Sequence, residues 1–132
     1  MTPAIQNEAK RINTAGEAIY QKQQFEEAMY KFQEAINLYP SYGQAYSNLG
    51  LTYMKLDRIA EALWANRKAI ELADGPNKAR VQASSYYNIG KIYEKSANWK
   101  EALDYYQKAK SLREHSSYDQ GIDRVQKKLY GH

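Results

Sequence analysis

Residues 46–72 read YSNLGLTYMKLDRIAEALWANRKAIEL, and residues 86–112 read YYNIGKIYEKSANWKEALDYYQKAKSL; the two align without a gap at an offset of 40. A third copy, INTAGEAIYQKQQFEEAMYKFQEAINL at residues 12–38, falls into the same frame at an offset of 34 from the first. Each copy carries a glycine followed by two alanines at fixed places: Gly16, Ala28 and Ala35; Gly50, Ala62 and Ala69; Gly90, Ala102 and Ala109. Glycine inside a helix costs about 1 kcal/mol relative to alanine, so its recurrence needs a packing reason. Small residues at these places admit a neighbouring helix. Around them large side chains recur at helical period, as in Tyr46, Leu49, Tyr53 and Leu63 or Tyr86, Ile89, Tyr93 and Leu103. The pattern breaks midway through each copy, at Gln23-Gln24, Asp57-Arg58 and Ala97-Asn98. Each copy is therefore predicted to be two amphipathic helices folded into an antiparallel hairpin, and the chain to be all-α.

The offset of 40 contains an insert around LADGPNKARVQAS. Asp74-Gly75-Pro76 marks a helix stop and restart, because Gly75 can take the left-handed conformation and Pro76 suits a first helical turn. Asn77 to Gln82 are read as an N-terminal extension of the helix that follows. Thr2-Pro3 has the same form, a side-chain cap with proline just inside it, and starts the first helix early. After Glu114, Ser116 or Ser117 is expected to cap a last helix over about 117–130 carrying Tyr118, Ile122, Val125 and Leu129 on one face. Such a helix would cover the apolar face that a stack of hairpins leaves open.

A chain of 132 residues is sized for one domain. It has no cysteine, which excludes disulfides, thiolate metal sites and cysteine nucleophiles, and its imidazoles are those of His115 and His132. His115 is read as a polar linker residue. The formal charge of +4 comes from 19 basic and 15 acidic side chains that alternate along the same segments, a solvated surface. Neither nucleic acid nor a membrane is an expected partner, since the basic residues form no dense stripe. The polar start, Met1 to Lys10, and the lack of a long apolar run give the expectation of a cytoplasmic protein. Phosphate-binding GxxxxGK and metal-binding HExxH motifs are missing, and paired carboxylates such as Glu26 and Glu27 sit on outward helical faces. No enzyme activity, metal or cofactor is expected.

The repeat resembles the tetratricopeptide repeat, a helix-turn-helix unit of about 34 residues. The resemblance covers about residues 9 to 115. Ile12, Tyr46 and Tyr86 hold the large first position and Tyr53 and Tyr93 the downstream tyrosine; Phe32 and Tyr106 fill the second-helix aromatic position, Pro40 closes the first repeat, and Tyr46, Tyr53, Tyr86, Tyr93 and Tyr106 are expected in the core. Asn66 replaces that aromatic in the middle repeat, Ile19 the tyrosine of the first, and Ala15 a leucine. The resemblance implies a right-handed superhelical solenoid of about seven helices in a single domain, 1–132. Its repeats would span about 9–42, 43–76 and 77–115, followed by the capping helix.

The same resemblance implies that the first helices line a concave groove. Its candidate peptide-binding residues are Asn13, Glu17, Tyr20, Asn48, Leu51, Lys55, Tyr87, Asn88, Lys91 and Lys95. Asn48 and Asn88 share one repeat position, where a primary amide can match both the N–H and the C=O of a bound main chain. Chaperone-binding members of the family hold a terminal carboxylate with two lysines, two asparagines and an arginine. Those positions fall here on Asn13, Glu17, Asn48, Ser84 and Asn88, and only Asn48 agrees, so that ligand is not expected. The implied function is a non-catalytic protein-protein interaction module binding a peptide segment or partner protein, of unknown identity, in the groove. The alternative is a self-associating scaffold, a homo-oligomer assembling through the C-terminal helix or through convex aromatics, with Tyr30, Trp64 and Tyr105 expected to face outward.

Overall fold

The computed structural model describes residues 1–131, and His132 lies outside the described residues. The chain forms two compact units, residues 1–73 and the residues from 74 onward. The first holds α1 (Pro3–Gln21), α2 (Phe25–Leu38), α3 (Gly43–Lys55) and α4 (Ile59–Leu72); the second holds a 3₁₀ turn (Gly75–Asn77), α5 (Lys78–Lys95), α6 (Trp99–Leu112) and α7 (Ser116–Tyr130). No strand occurs among the described residues. In the first unit α1 pairs with α2 and α3 with α4, while α2 packs on α3; in the second, α5 pairs with α6 and α6 packs on α7.

Each hairpin turn is built the same way. Gln23, Asp57 and Ala97, at φ 63°, 59° and 61°, take the left-handed conformation just past the end of α1, α3 and α5. The next residue's N–H then donates back into the helix, from Gln24 to Ile19, Arg58 to Tyr53 and Asn98 to Tyr93, at 3.3, 2.9 and 2.9 Å. This is the Schellman closure, which satisfies carbonyls that a helix end leaves open and reverses the chain within three residues.

The alanines of the repeat, Ala28, Ala35, Ala62, Ala69, Ala102 and Ala109, are all fully buried. The glycines mark the closest helix contacts. A Cβ on Gly16 would lie 2.7 Å from the ring of Phe32, and one on Gly90 would lie 2.7 Å from that of Tyr106. At Gly50 the group in the way is the amide of Asn66, which is fully buried and donates to the Ala62 carbonyl at 2.9 Å. Asn66 thus fills the place of the missing aromatic and finds a backbone acceptor for its polarity. Gly121 of α7 repeats the device, since a Cβ there would come within 2.9 Å of the opposite edge of Tyr106.

The expected early start of α1 is present, with Thr2 Oγ1 accepting from the Ile5 N–H at 3.2 Å. The insert is helical, but its first residues differ from the expectation. Gly75, at φ 66°, opens a 3₁₀ turn in which Pro76 sits, and α5 begins only at Lys78, with Asn77 as its cap position. The start of α7 is also corrected. Its cap is His115, whose Nδ1 accepts from the Ser117 N–H at 3.1 Å, while Ser116 is already helical. An imidazole nitrogen is an acceptor when its partner nitrogen holds the proton, and here it does the work expected of a serine hydroxyl. Three aromatic residues are placed differently as well. Tyr86 and Tyr93 are half-buried rather than in the core, and Tyr105 is half-buried rather than outward. Tyr105 stacks on Tyr93 at 5.5 Å with planes 6° apart, and the Lys108 ammonium lies 4.8 Å from its ring centre. Tyr30 and Trp64 are exposed as expected, at 59% and 49%.

Candidate functional site

The candidate residues of the first unit lie on α1 and α3. The periodicity that buries Gly16 and Gly50 leaves the adjoining helical positions, Glu17 and Leu51, beside a hollow. This hollow, of about 330 Å³, is lined by Glu17, Tyr20, Gln21, Phe32, Asn48 and Leu51. A second depression of about 330 Å³ shares Tyr20 and Gln21 and is completed by Gln23, Phe25 and Lys55. Tyr20 stands between the two, its ring meeting Phe25 edge-on at 5.1 Å, and burial pushes its phenol above the usual range.

A chain of amides runs behind the first hollow. Asn48 Nδ2 donates to Asn13 Oδ1 at 3.0 Å and to Glu17 Oε2 at 3.1 Å, while its Oδ1 accepts from Gln44 Nε2 at 3.4 Å. Asn13, only 3% exposed, donates in turn to the Tyr42 hydroxyl at 3.4 Å. Both amide protons of Asn48 are therefore committed inside the protein. The carboxylate it orients, Glu17, is exposed and has no lysine or arginine partner among the described residues. Lys55 is likewise exposed and pairs with no carboxylate among them.

The candidates of the second unit lie on α5. Tyr87 is half-buried, with its ring centre 5.4 Å from that of Tyr106 and 5.2 Å from that of Tyr118, and the Lys91 ammonium lies 5.4 Å above it. Tyr87 is thus wedged between α6 and α7, with one face turned to a cation. Asn88 is buried at 3% exposure, while Lys95 at the end of the helix is exposed.

Glu94 is a further charged residue of this unit that no sequence motif marks. Its Oε1 accepts from the Tyr106 hydroxyl at 2.5 Å, and Arg124 of α7 binds both its oxygens, Nε to Oε2 at 2.9 Å and Nη2 to Oε1 at 3.0 Å. The Arg124 bonds, and then that of Tyr106, hold the Glu94 carboxyl below the usual carboxylate range; burial, then Glu94, push the Tyr106 phenol well above its own. With Lys110 to Asp119 at 2.7 Å, this places two ion pairs between α7 and the hairpin beneath it. A 30-residue separation between Glu94 and Arg124 leaves no short-range pattern by which to find them.

The tetratricopeptide repeat family model matches residues 41–115, and a second model described as TPR repeat matches residues 16–57. The chain belongs to the tetratricopeptide repeat family. Anaphase-promoting complex subunit 3 of Schizosaccharomyces pombe is 32% identical over 95 residues, which cover 72% of this chain but 13% of that protein. Among solved structures, the Arabidopsis OM64 TPR domain superposes with a TM-score of 0.82 at 21% identity, over 94% of this chain and 98% of that one. The first TPR of Spaghetti (RPAP3), bound to the HSP90 peptide SRMEEVD, gives 0.78 at 16% identity, over 92% of each chain. The N-terminal domain of stress-induced protein-1 from C. elegans gives 0.75 at 21% identity, over 95% of this chain and 99% of that one. At these identities the likeness is one of fold. Among the described residues of this tetratricopeptide repeat chain, no helix is long and apolar enough to cross a membrane.

Proposed function

We propose that this chain is a non-catalytic interaction module that binds a peptide segment of a partner protein on the exposed faces of its first helices. Repeat proteins of this class use such faces as extended binding surfaces. The observation that supports the reading is the paired depressions beside Tyr20, which combine the apolar surfaces of Phe25, Phe32 and Leu51 with a few oriented polar groups. A small number of placed polar groups over an apolar floor is the usual make-up of a recognition pocket. On α5, Tyr87, Lys91 and Lys95 are the corresponding proposed contacts, while the neighbouring Asn88 is buried.

The HSP90 peptide held by the Spaghetti domain is not the ligand proposed here. A carboxylate, Glu17, occupies a place where a terminal-carboxylate clamp needs a donor, and Ser84 and Asn88 stand where it needs cations.

The test compares the protein with a Leu51→Glu, Lys95→Glu variant as bait, after circular dichroism shows both to be equally helical. A partner held by the wild type and lost from the variant supports the reading, and equal retention overturns it. A second reading, self-association, rests on the exposed Trp64, whose ring borders an open hollow of about 360 Å³ on α4. A mass that rises with concentration in light scattering, and falls to the monomer in Trp64→Arg, would favour it.

A further inference from the structure

Resting on that reading, we infer that the face of α1 and α3 is selective for a peptide carrying a basic side chain beside an acidic one, the basic side chain seated against Glu17. Asn48 is not free to grip a ligand through its amide protons. Its two amide protons are taken by Asn13 and Glu17, so it acts as a positioning residue for a carboxylate rather than as a grip on a peptide. Asn13 is itself buried and held by Tyr42, which anchors the chain of bonds in the core. A surface glutamate normally samples many rotamers, and ordering it in advance removes part of the entropy that binding would otherwise cost.

Among the described residues the oriented carboxylate is the one ionic group of its hollow, whose other walls include Tyr20, Phe32 and Leu51. This combination suits a lysine or arginine: an aliphatic stem against Leu51, the charged head on Glu17, and the face of Tyr20 beside it. The carboxylate has accepting positions beyond the one Asn48 uses, as a guanidinium or ammonium requires. The adjoining depression has the opposite sign. Lys55 is its one ionic group among the described residues, and the depression shares the same Tyr20. A ligand with a cation in the first and a carboxylate in the second matches both charges. A ligand with a terminal carboxylate alone would meet Glu17 with like charge.

The test is a selection of phage-displayed random dodecapeptides on the full chain, followed by fluorescence anisotropy of the enriched sequences. Enriched peptides are expected to share a lysine or arginine near an aspartate or glutamate. Glu17→Gln, whose amide oxygen still accepts from Asn48, is expected to weaken them by about tenfold, the worth of one charge-assisted hydrogen bond. Glu17→Lys is expected to reverse the preference, favouring the peptide in which the basic residue is replaced by glutamate, and Lys55→Glu to remove the preference for the acidic residue. Peptides that lose binding in Leu51→Glu but bind Glu17→Gln and Glu17→Lys as well as the wild type would overturn the ligand class and leave the binding face standing. Peptides indifferent to all of these variants, or no enrichment at all, would overturn both.

Discussion

Among the described residues, three hold a backbone conformation that their side chains disfavour. Gln23, Asp57 and Ala97 sit in the left-handed region at equivalent places in the three hairpins. Aspartate tolerates that region better than alanine, because its short polar side chain can bond locally. Alanine has no such compensation, so Ala97 is the best site for relief. Left-handed geometry costs a residue with a Cβ about 1–2 kcal/mol, of which the greater freedom of glycine in the unfolded chain takes back roughly half. Ala97→Gly is therefore expected to stabilise the protein by about 0.5–1 kcal/mol in urea denaturation. An unchanged or lower midpoint would mean that the turn is not held in this conformation.

At the scale of the element, α7 is the helix whose attachment depends on charge. Its apolar contacts include Val125, fully buried with Ala102 and Tyr106, and Gly121 lets it approach the Tyr106 ring. Over these lies the Arg124 bond to Glu94, whose carboxylate also takes the Tyr106 hydroxyl proton in a hydrogen bond. Because the folded protein depresses the Glu94 pKa, this bond stabilises fully above the unfolded value of about 4.3. The contribution disappears as the pH falls through the lower folded value. Glu94→Gln is expected to cost about 1 kcal/mol at neutral pH, the modest figure reflecting that half of Arg124 is in solvent, and to flatten the acid limb of the stability profile. Chemical denaturation of both proteins between neutral pH and the acid limit checks this. A loss that is the same at every pH would show that the carboxylate charge is not involved.

At the scale of the whole molecule, two compact units each carry their own buried alanines and glycine contacts. Stability in repeat proteins is a sum of local terms and nearest-neighbour interfaces, so damage in one repeat should be felt most where it is made. Ala62 of α4 is fully buried. Ala62→Leu is expected to destabilise by about 1–3 kcal/mol through overpacking. Native-state hydrogen exchange should show the larger acceleration in α1 to α4 and the smaller in α5 to α7. Uniform acceleration along the chain would mean that the two units open only together.

The hairpins, their turn positions and the early start of α1 were legible in the sequence, because they follow from short-range rules: a helical period, a small residue at each close contact, and a break at each reversal. So was the family, since a repeat displays its own packing constraints three times over. The misplaced details are those in which one interaction competed with another at close range. His115 displaced serine as the cap of α7, Asn77 was drawn into a 3₁₀ turn by the residues before it, and the Tyr93 ring drew Tyr105 out of solvent. The candidate face was legible as a set of positions, but its chemistry was not. Asn48 reads in sequence as a free amide, and only the tertiary structure brings Asn13 and Glu17 to it across a separation of more than 30 residues. Likewise only packing joins Glu94 to Tyr106 and Arg124. Periodicity determines which side of a helix is buried, whereas a polar side chain's role depends on which partners the fold carries within a hydrogen bond's reach.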